Sequence, residues 1–169
     1  MMSKNVLGAA CLALGMWCAG PALALEPGQT APALELSGVS APVGLSKLKG
    51  KLVYVDFWAS WCGPCKQSFP WMNEMQAKYG PRGLQIIGVN VDAKRADADQ
   101  FLAGTPASFL VAFDATGDSA KRYEIKGMPS SVLVSPDGKV IKVHNGFRAD
   151  ERKELEDAIV AALAQVKQP

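Results

Sequence analysis

Val53-Tyr54-Val55-Asp56-Phe57-Trp58-Ala59-Ser60-Trp61-Cys62-Gly63-Pro64-Cys65-Lys66 is the stretch whose reading decides the fold. Its first half is apolar, β-branched and aromatic, the pattern of a strand buried on both faces. Its second half places Pro64 where a helix would begin, since proline suits the first helical turn. Two thiols separated by Gly63-Pro64 stand at the junction. A Cys-x-x-Cys delivered to a helix start is suited to thiol-disulfide exchange, because the thiolate is the nucleophile and unpaired helix N–H groups favour an anion.

The rest of the cysteine count supports a chemical use of that pair. The chain has 169 residues and four cysteines. Cys11 and Cys18 lie in residues 1–24, which read as a secretory signal peptide. Lys4 supplies the positive end, 6–19 is apolar, and Ala22-Leu23-Ala24 has the small-x-small pattern of a cleavage site. The alternative is an uncleaved anchor, because 11–25 extends the apolar run towards the roughly 20 residues a spanning helix needs. A lipoprotein is disfavoured by the bulky Trp17 before Cys18. Residues 25–169 then form one domain whose thiols are Cys62 and Cys65. Exported proteins use cysteines to join distant segments, and a pair this close closes too small a loop to staple much. Zinc is not expected, since the only histidine is His144 and residues 25–169 hold no second cysteine pair.

Composition is that of a globular protein, with 49% hydrophobic and 20% charged residues. A net charge of +2 points to neither nucleic acid nor an anionic membrane surface. Along the chain, strands are predicted at 33–36, 43–45, 52–57, 84–91, 109–113, 131–135 and 139–146. Helical segments are predicted at 46–50, 64–79, 94–103, 119–123 and 150–166. Pro70 falls inside the second of these and is expected to kink it. Pro136-Asp137-Gly138 marks a hairpin turn. This order predicts an α/β domain, a mixed sheet with helices on both faces.

Chemical roles follow from position. Cys62, at the helix start, is the expected nucleophile, and Cys65, one turn in and more buried, the resolving thiol. Asp56 is a charged residue within an apolar strand. Buried without a cation, its pKa rises, and it suits a proton acceptor for Cys65. Trp61 is read as an aromatic wall beside the sulfur, whereas Trp58, Trp71 and Met72 are read as packing. Lys66 and Lys78 are read as solvated, and His144 as a strand residue without a partner.

Trp61-Cys62-Gly63-Pro64-Cys65-Lys66, with Val55-Asp56-Phe57-Trp58-Ala59 before it, resembles the thioredoxin active site almost letter for letter. Pro70 resembles the proline of that family's active-site helix, and Tyr123 to Ser130 resembles the segment ending in its cis-proline. The resemblance implies a cis Met128-Pro129 bond and a loop beside the CxxC that pairs with substrate backbone. Gly63, Pro64, Met128 and Pro129 thereby join Trp61 as expected substrate-binding residues.

The closer resemblance, over about 28–165, is to exported TlpA/ResA-like thioredoxins. It rests on the export segment, the N-terminal addition through 32–51, and a helix-strand insert between Asp92 and Asp114. The implied fold is a thioredoxin fold with an N-terminal β-hairpin extension and that insert. The implied activity is a periplasmic protein-disulfide reductase cycling Cys62 and Cys65 without a further cofactor. Its implied partners are disulfide-containing proteins and a membrane thiol reductase of the DsbD/CcdA kind, with a monomer expected. Haem-site cysteines of apocytochrome c, copper-site cysteines of oxidase subunits and a disulfide isomerase are the candidate targets.

Two departures stand out. ResA-like members often carry Glu where this chain has Ser68, and Asn where it has Asp56. In thioredoxin a Lys faces the buried Asp from the next strand; here alignment on Asn90-Val91-Asp92 puts Gly88 there. A thiol peroxidase is the alternative enzyme on this fold, but Ser60-Trp61-Cys62 lacks the Thr-x-x-Cys context. A copper chaperone on this fold uses Cys-x-x-x-Cys with a distant His, a spacing this chain does not have.

Overall fold

The computed structural model describes residues 25–166. Seven strands and four α-helices follow the predicted order: β1 Glu35–Gly38, β2 Val43–Gly44, β3 Leu52–Trp58, α1 Cys65–Tyr79, β4 Leu84–Asn90, α2 Arg95–Gly104, β5 Leu110–Phe113, α3 Asp118–Arg122, β6 Ser130–Val134, β7 Val140–Asn145 and α4 Arg152–Gln165. Short 3-10 turns at Leu45–Leu48, Gly80–Arg82 and Ala149–Glu151 connect them. The predicted signal peptide lies outside the described residues.

The strands form one sheet in the order β2-β1-β5-β4-β3-β6-β7. β3, β4 and β5 are parallel neighbours, and β6, β7 and the N-terminal hairpin run antiparallel to theirs. The hairpin extension therefore lengthens the sheet, pairing β1 with β5 of the insert. The first strand lies two residues later than predicted. Leu34 is instead buried ahead of it, and its carbonyl accepts a bond from the Leu45 N–H. The final helix also begins later, because residues 149–151 form a 3-10 turn.

β3 is buried along its whole length, so its side chains feed two separate cores. Leu52, Tyr54 and Trp58 face α1, α2 and α4, among Phe69, Met72, Met75, Phe101, Leu155, Ile159 and Leu163. Val53, Val55 and Phe57 face α3 and the N-terminal segment, among Leu34, Val43, Ala120 and Tyr123. The predicted stripes of α1 (Phe69, Met72, Met75, Tyr79) and α4 (Leu155, Ile159, Ala162, Leu163) are buried. α1 runs from Cys65 through Pro70 to Tyr79, with Pro70 on its exposed side. Lys78 is exposed but not merely solvated: its Nζ lies 2.7 Å from Glu156 Oε1, tying α1 to α4.

Candidate active site

Cys62 and Cys65 form a disulfide immediately before and at the start of α1. The turn is closed by the Cys62 N–H donating to the Ala59 carbonyl and the Cys65 N–H to the Cys62 carbonyl. The Cys65 N–H also points at Cys62 Sγ, 3.3 Å away. That amide opens the helix, at the positive end of its dipole, so a thiolate formed on Cys62 is met by a partial positive charge. Both cysteines are nearly closed off in the oxidised form, with residue exposure of 4% for Cys62 and none for Cys65.

The surroundings of Cys62 are open. Trp61 is 72% exposed, and Gly63 and Pro64 are exposed as well. Trp61, Ser60 and Lys66 on one side and Asp97, Gln100 and Thr105 of the α2 region on the other line an open groove. The Met128–Pro129 bond is cis, as the sequence reading expected. Because Phe57 pairs with Ser130 across β3 and β6, Pro129 lies at the end of β3 that leads into the CxxC turn. Met128 packs against the core that contains both cysteines. Trp58 is fully buried, with its ring 4.9 Å from Phe69 and 4.8 Å from Phe101, which is the packing role read from sequence. Trp71 is packed likewise between Tyr54 and Phe147.

Asp56 lies on the α1 face of β3, between Tyr54 and Trp58, and is 2% exposed. Tyr54 packs on Trp71 and Trp58 on Phe69, so α1 covers the carboxylate from both flanks. Asp56 Oδ2 is buried with no hydrogen-bond partner. Burial pushes the carboxyl well above the usual carboxylate range. The residue beside it on β4 is Gly88, as the alignment predicted. A Cβ on Gly88 would sit 2.9 Å from the Phe109 ring and 3.1 Å from Trp58 Nε1. Aromatic rings thus fill the space where a lysine would have to enter. Ser68, the other departure, is buried and donates to the Cys65 carbonyl at 3.1 Å. It spends its hydroxyl on the helix backbone, as mid-helix serines do.

Asp92 is a residue of this site that the sequence reading used only to anchor an alignment. Its carboxylate accepts from the Ser60 N–H at 2.9 Å and the Ser60 hydroxyl at 3.0 Å. Asn90 Nδ2 holds the same carboxylate at 2.7 Å. Ser60 directly precedes Trp61, so this clamp positions the start of the CxxC turn. The one sequence signal was its chemistry: an Asn-x-Asp at the end of an apolar strand, where polar groups reach a neighbouring turn.

A family model described as Redoxin matches residues 26–159. The chain is 33% identical over 132 residues to thiol-disulfide oxidoreductase ResA of Oceanobacillus iheyensis, covering 75% of this chain and 69% of that one. This chain belongs to the Redoxin family. Within it, the chain is a ResA-like member of the thioredoxin superfamily and a thiol-disulfide oxidoreductase. ResA of Bacillus subtilis is 32% identical over 123 residues, covering 72% of this chain and 69% of its own. Among solved structures, a Chlorobium tepidum protein taken to be the thiol:disulfide interchange protein DsbE is 53% identical. It superposes with a TM-score of 0.82, covering 83% of this chain and 99% of that one. A secreted disulfide oxidoreductase of Mycobacterium tuberculosis, homologous to DsbE, is 25% identical with a TM-score of 0.66, covering 76% and 95%. These likenesses span the strand, CxxC turn and helix with which the sequence reading began.

Proposed function

We propose that this oxidoreductase is an exported reductant of protein disulfides. The observation that carries the reading is the Cys62 sulfur. It faces a helix-start amide, its chain neighbours Trp61, Gly63 and Pro64 are exposed, and cis-Pro129 lies at the end of β3 that leads into the turn. In the reduced enzyme the Cys62 thiolate attacks a substrate disulfide, forming a mixed disulfide and releasing one substrate sulfur as thiolate. Asp56 takes the proton from Cys65. The Cys65 thiolate then attacks Cys62 Sγ, closing the Cys62–Cys65 disulfide and expelling the second substrate sulfur. The substrate gains two electrons and the enzyme loses them.

Substrate backbone is read by Met128. Among the described residues its N–H and C=O make no hydrogen bond, while the Pro129 carbonyl is occupied by the Gly146 N–H at 2.7 Å. An extended peptide can pair with those free groups as an added strand. Export is supported by the apolar N-terminus with its Ala22-Leu23-Ala24 site. Among the described residues no helix is long and apolar enough to cross a membrane. A reductant in the periplasm needs electrons from inside the cell, which a membrane thiol reductase would supply. The setting proposed by analogy is maturation of cytochrome c thiols or of copper-site cysteines, or reduction of a disulfide isomerase.

Trapping tests this. Cys65→Ser, expressed at native level, is expected to retain partner proteins on Cys62 as mixed disulfides released by reductant. A Cys62→Ser, Cys65→Ser control should retain none. Recovery of haem-site or copper-site proteins identifies the pathway, and recovery of no covalent partner overturns the exchange mechanism. The direction is tested separately. A reduction potential near about −270 mV fits a reductant, and one above roughly −150 mV makes the protein an oxidant.

A further inference from the structure

Asp56 is buried beside Gly88, so β4 offers no titratable side chain at that position to take up its proton. The register of the sheet supplies another. Asp56 pairs with Ser131 across β3 and β6, and Ser131 pairs with His144 across β6 and β7. Directly paired residues hold their Cβ atoms about 4.5–5.5 Å apart. The three side chains lie on one face, the face covered by α4. Ser131 alternates with Val132 of the opposite core, and Ser131 and His144 line one small cavity with Tyr54, Leu155 and Ile159.

The row is polar in an otherwise apolar layer, and its ends are unsatisfied. Asp56 Oδ2 and His144 Nε2 are both buried without a hydrogen-bond partner. His144 Nε2 lies 3.3 Å from Glu151 Oε2, close enough for an ion pair yet off the line of a hydrogen bond. Exposure rises along the row: Ser131 is buried, while the side chains of His144 and Glu151 are 15% and 20% exposed. Tyr54 lines the same cavity as Ser131 and His144, which places a second hydroxyl beside the row. Burial keeps that phenol protonated, so it can relay a proton without itself ionising. The charged or titratable groups around His144 are Lys142 on β7, Glu151 before α4 and Glu154 on α4, with Tyr54 on β3.

We infer that Ser131 and His144 form a proton exit row for Asp56, carrying to Glu151 and solvent the proton that Asp56 takes from Cys65. When Cys65 is deprotonated, its proton passes to the Asp56 carboxylate. The Ser131 hydroxyl accepts that proton and gives up its own to the His144 imidazole. His144 gains this proton on Nδ1 and releases the one on Nε2 at the Glu151 end, and proton exchange with solvent then restores its starting tautomer. No electrons move along the row; the thiol-disulfide step supplies the only redox change. His144 and Ser131 are positioning residues acting through Asp56, and the inference rests on the assignment of Asp56 as the base for Cys65.

The test uses the reduced full chain and 5,5′-dithiobis(2-nitrobenzoic acid). Attack by Cys62 releases one thionitrobenzoate, and resolution by Cys65 releases the second, so the slower phase isolates the step that needs Asp56. His144→Ala and His144→Gln are each expected to slow the second phase about tenfold near neutral pH, within the range of a lost proton-transfer group. Added imidazole should restore much of the rate to His144→Ala, and the first phase should be unchanged. In an Asp56→Asn background, His144→Ala should cost nothing further, since both act on one path. Wild-type second-phase rates and pH profile in both His144 variants overturn the row, as does an additive loss in the double mutant. If His144→Ala does not fold, His144→Gln and Ser131→Ala carry the same comparison. An unchanged second phase in Asp56→Asn alone would instead remove the base assignment itself. A slow Asp56→Asn with normal His144 variants removes only the row.

Discussion

The two faces of β3 differ in what they leave unsatisfied. On the α3 face, Val53, Val55 and Phe57 pack with Ile87, Val89 and Val132. The one large polar group there, the Tyr123 hydroxyl, donates to the Pro32 carbonyl at 2.7 Å. On the α1 face lie Asp56 Oδ2, Trp58 Nε1 and, at its margin, His144 Nε2, each buried without a hydrogen bond. Unpaired buried polar groups each cost on the order of 1–3 kcal/mol. The same strand therefore stabilises the fold through its odd-numbered side chains and gives up stability to chemistry through Asp56.

The largest effect should come from the satisfied face. Phe57→Ala removes a fully buried ring lying 5.2 Å from that of Tyr123. It should destabilise by about 3–5 kcal/mol in denaturant titrations, with the reduction potential of the folded fraction unchanged. A shift in potential matching the stability loss would mean that the two faces are not separable. Asp56→Asn should do the reverse. Resolution by Cys65 should slow by about ten- to a hundredfold in stopped flow, while the fold is retained.

Its effect on stability has a definite sign. Folding raises the Asp56 pKa, so the folded state holds its proton over a range where the unfolded chain has lost it. Below the unfolded value, about 3.9, both states are protonated and Asp56 contributes no pH dependence. As pH rises from there to the folded value, the unfolded state is favoured progressively. Thermal melts should therefore show Asp56→Asn more stable than the parent at mildly alkaline pH, with the gap closing near pH 4. A gap that widens on acidification would contradict the burial argument.

Smaller effects test how tightly the α1 face is filled. Gly88→Ala drives a methyl against Phe109 and Trp58 and should cost about 1–3 kcal/mol of stability as overpacking. Gly63→Ala should change stability by no more than about 0.5 kcal/mol, since nothing lies within 4 Å of a Cβ there. A large loss at Gly63 would show that the turn needs glycine for its backbone, which its conformation in the oxidised form does not require.

Much of the site could be read from short-range pattern. The apolar run of β3, the proline at the α1 start and the CxxC between them are contiguous, so their chemistry is local. The stripes of α1 and α4 follow from helical periodicity, and the cis Met128–Pro129 bond follows from resemblance. Asp92 was less legible, because its meaning lies in a turn 32 residues earlier. His144 reads from sequence as partnerless, and the structure gives its Nε2 no hydrogen bond but sets Glu151 Oε2 3.3 Å away. Glu151 sits in a 3-10 turn beyond the strand, and the cross-strand neighbour Ser131 is reached only through the β6–β7 register.

By itself, then, the sequence determined the strand-turn-helix that carries Cys62 and Cys65 and the oddity of a carboxylate at Asp56. These depend on order along the chain and on intrinsic backbone preference. Only the tertiary structure decided that Trp58 and Phe109 fill the space beside Gly88, that Asp92 holds Ser60, and that Asp56, Ser131 and His144 share one line across three strands. Those relations depend on register, and one residue of slip would turn Ser131 to the opposite core. Pairing between strands far apart in sequence sets that register, and no local pattern encodes it.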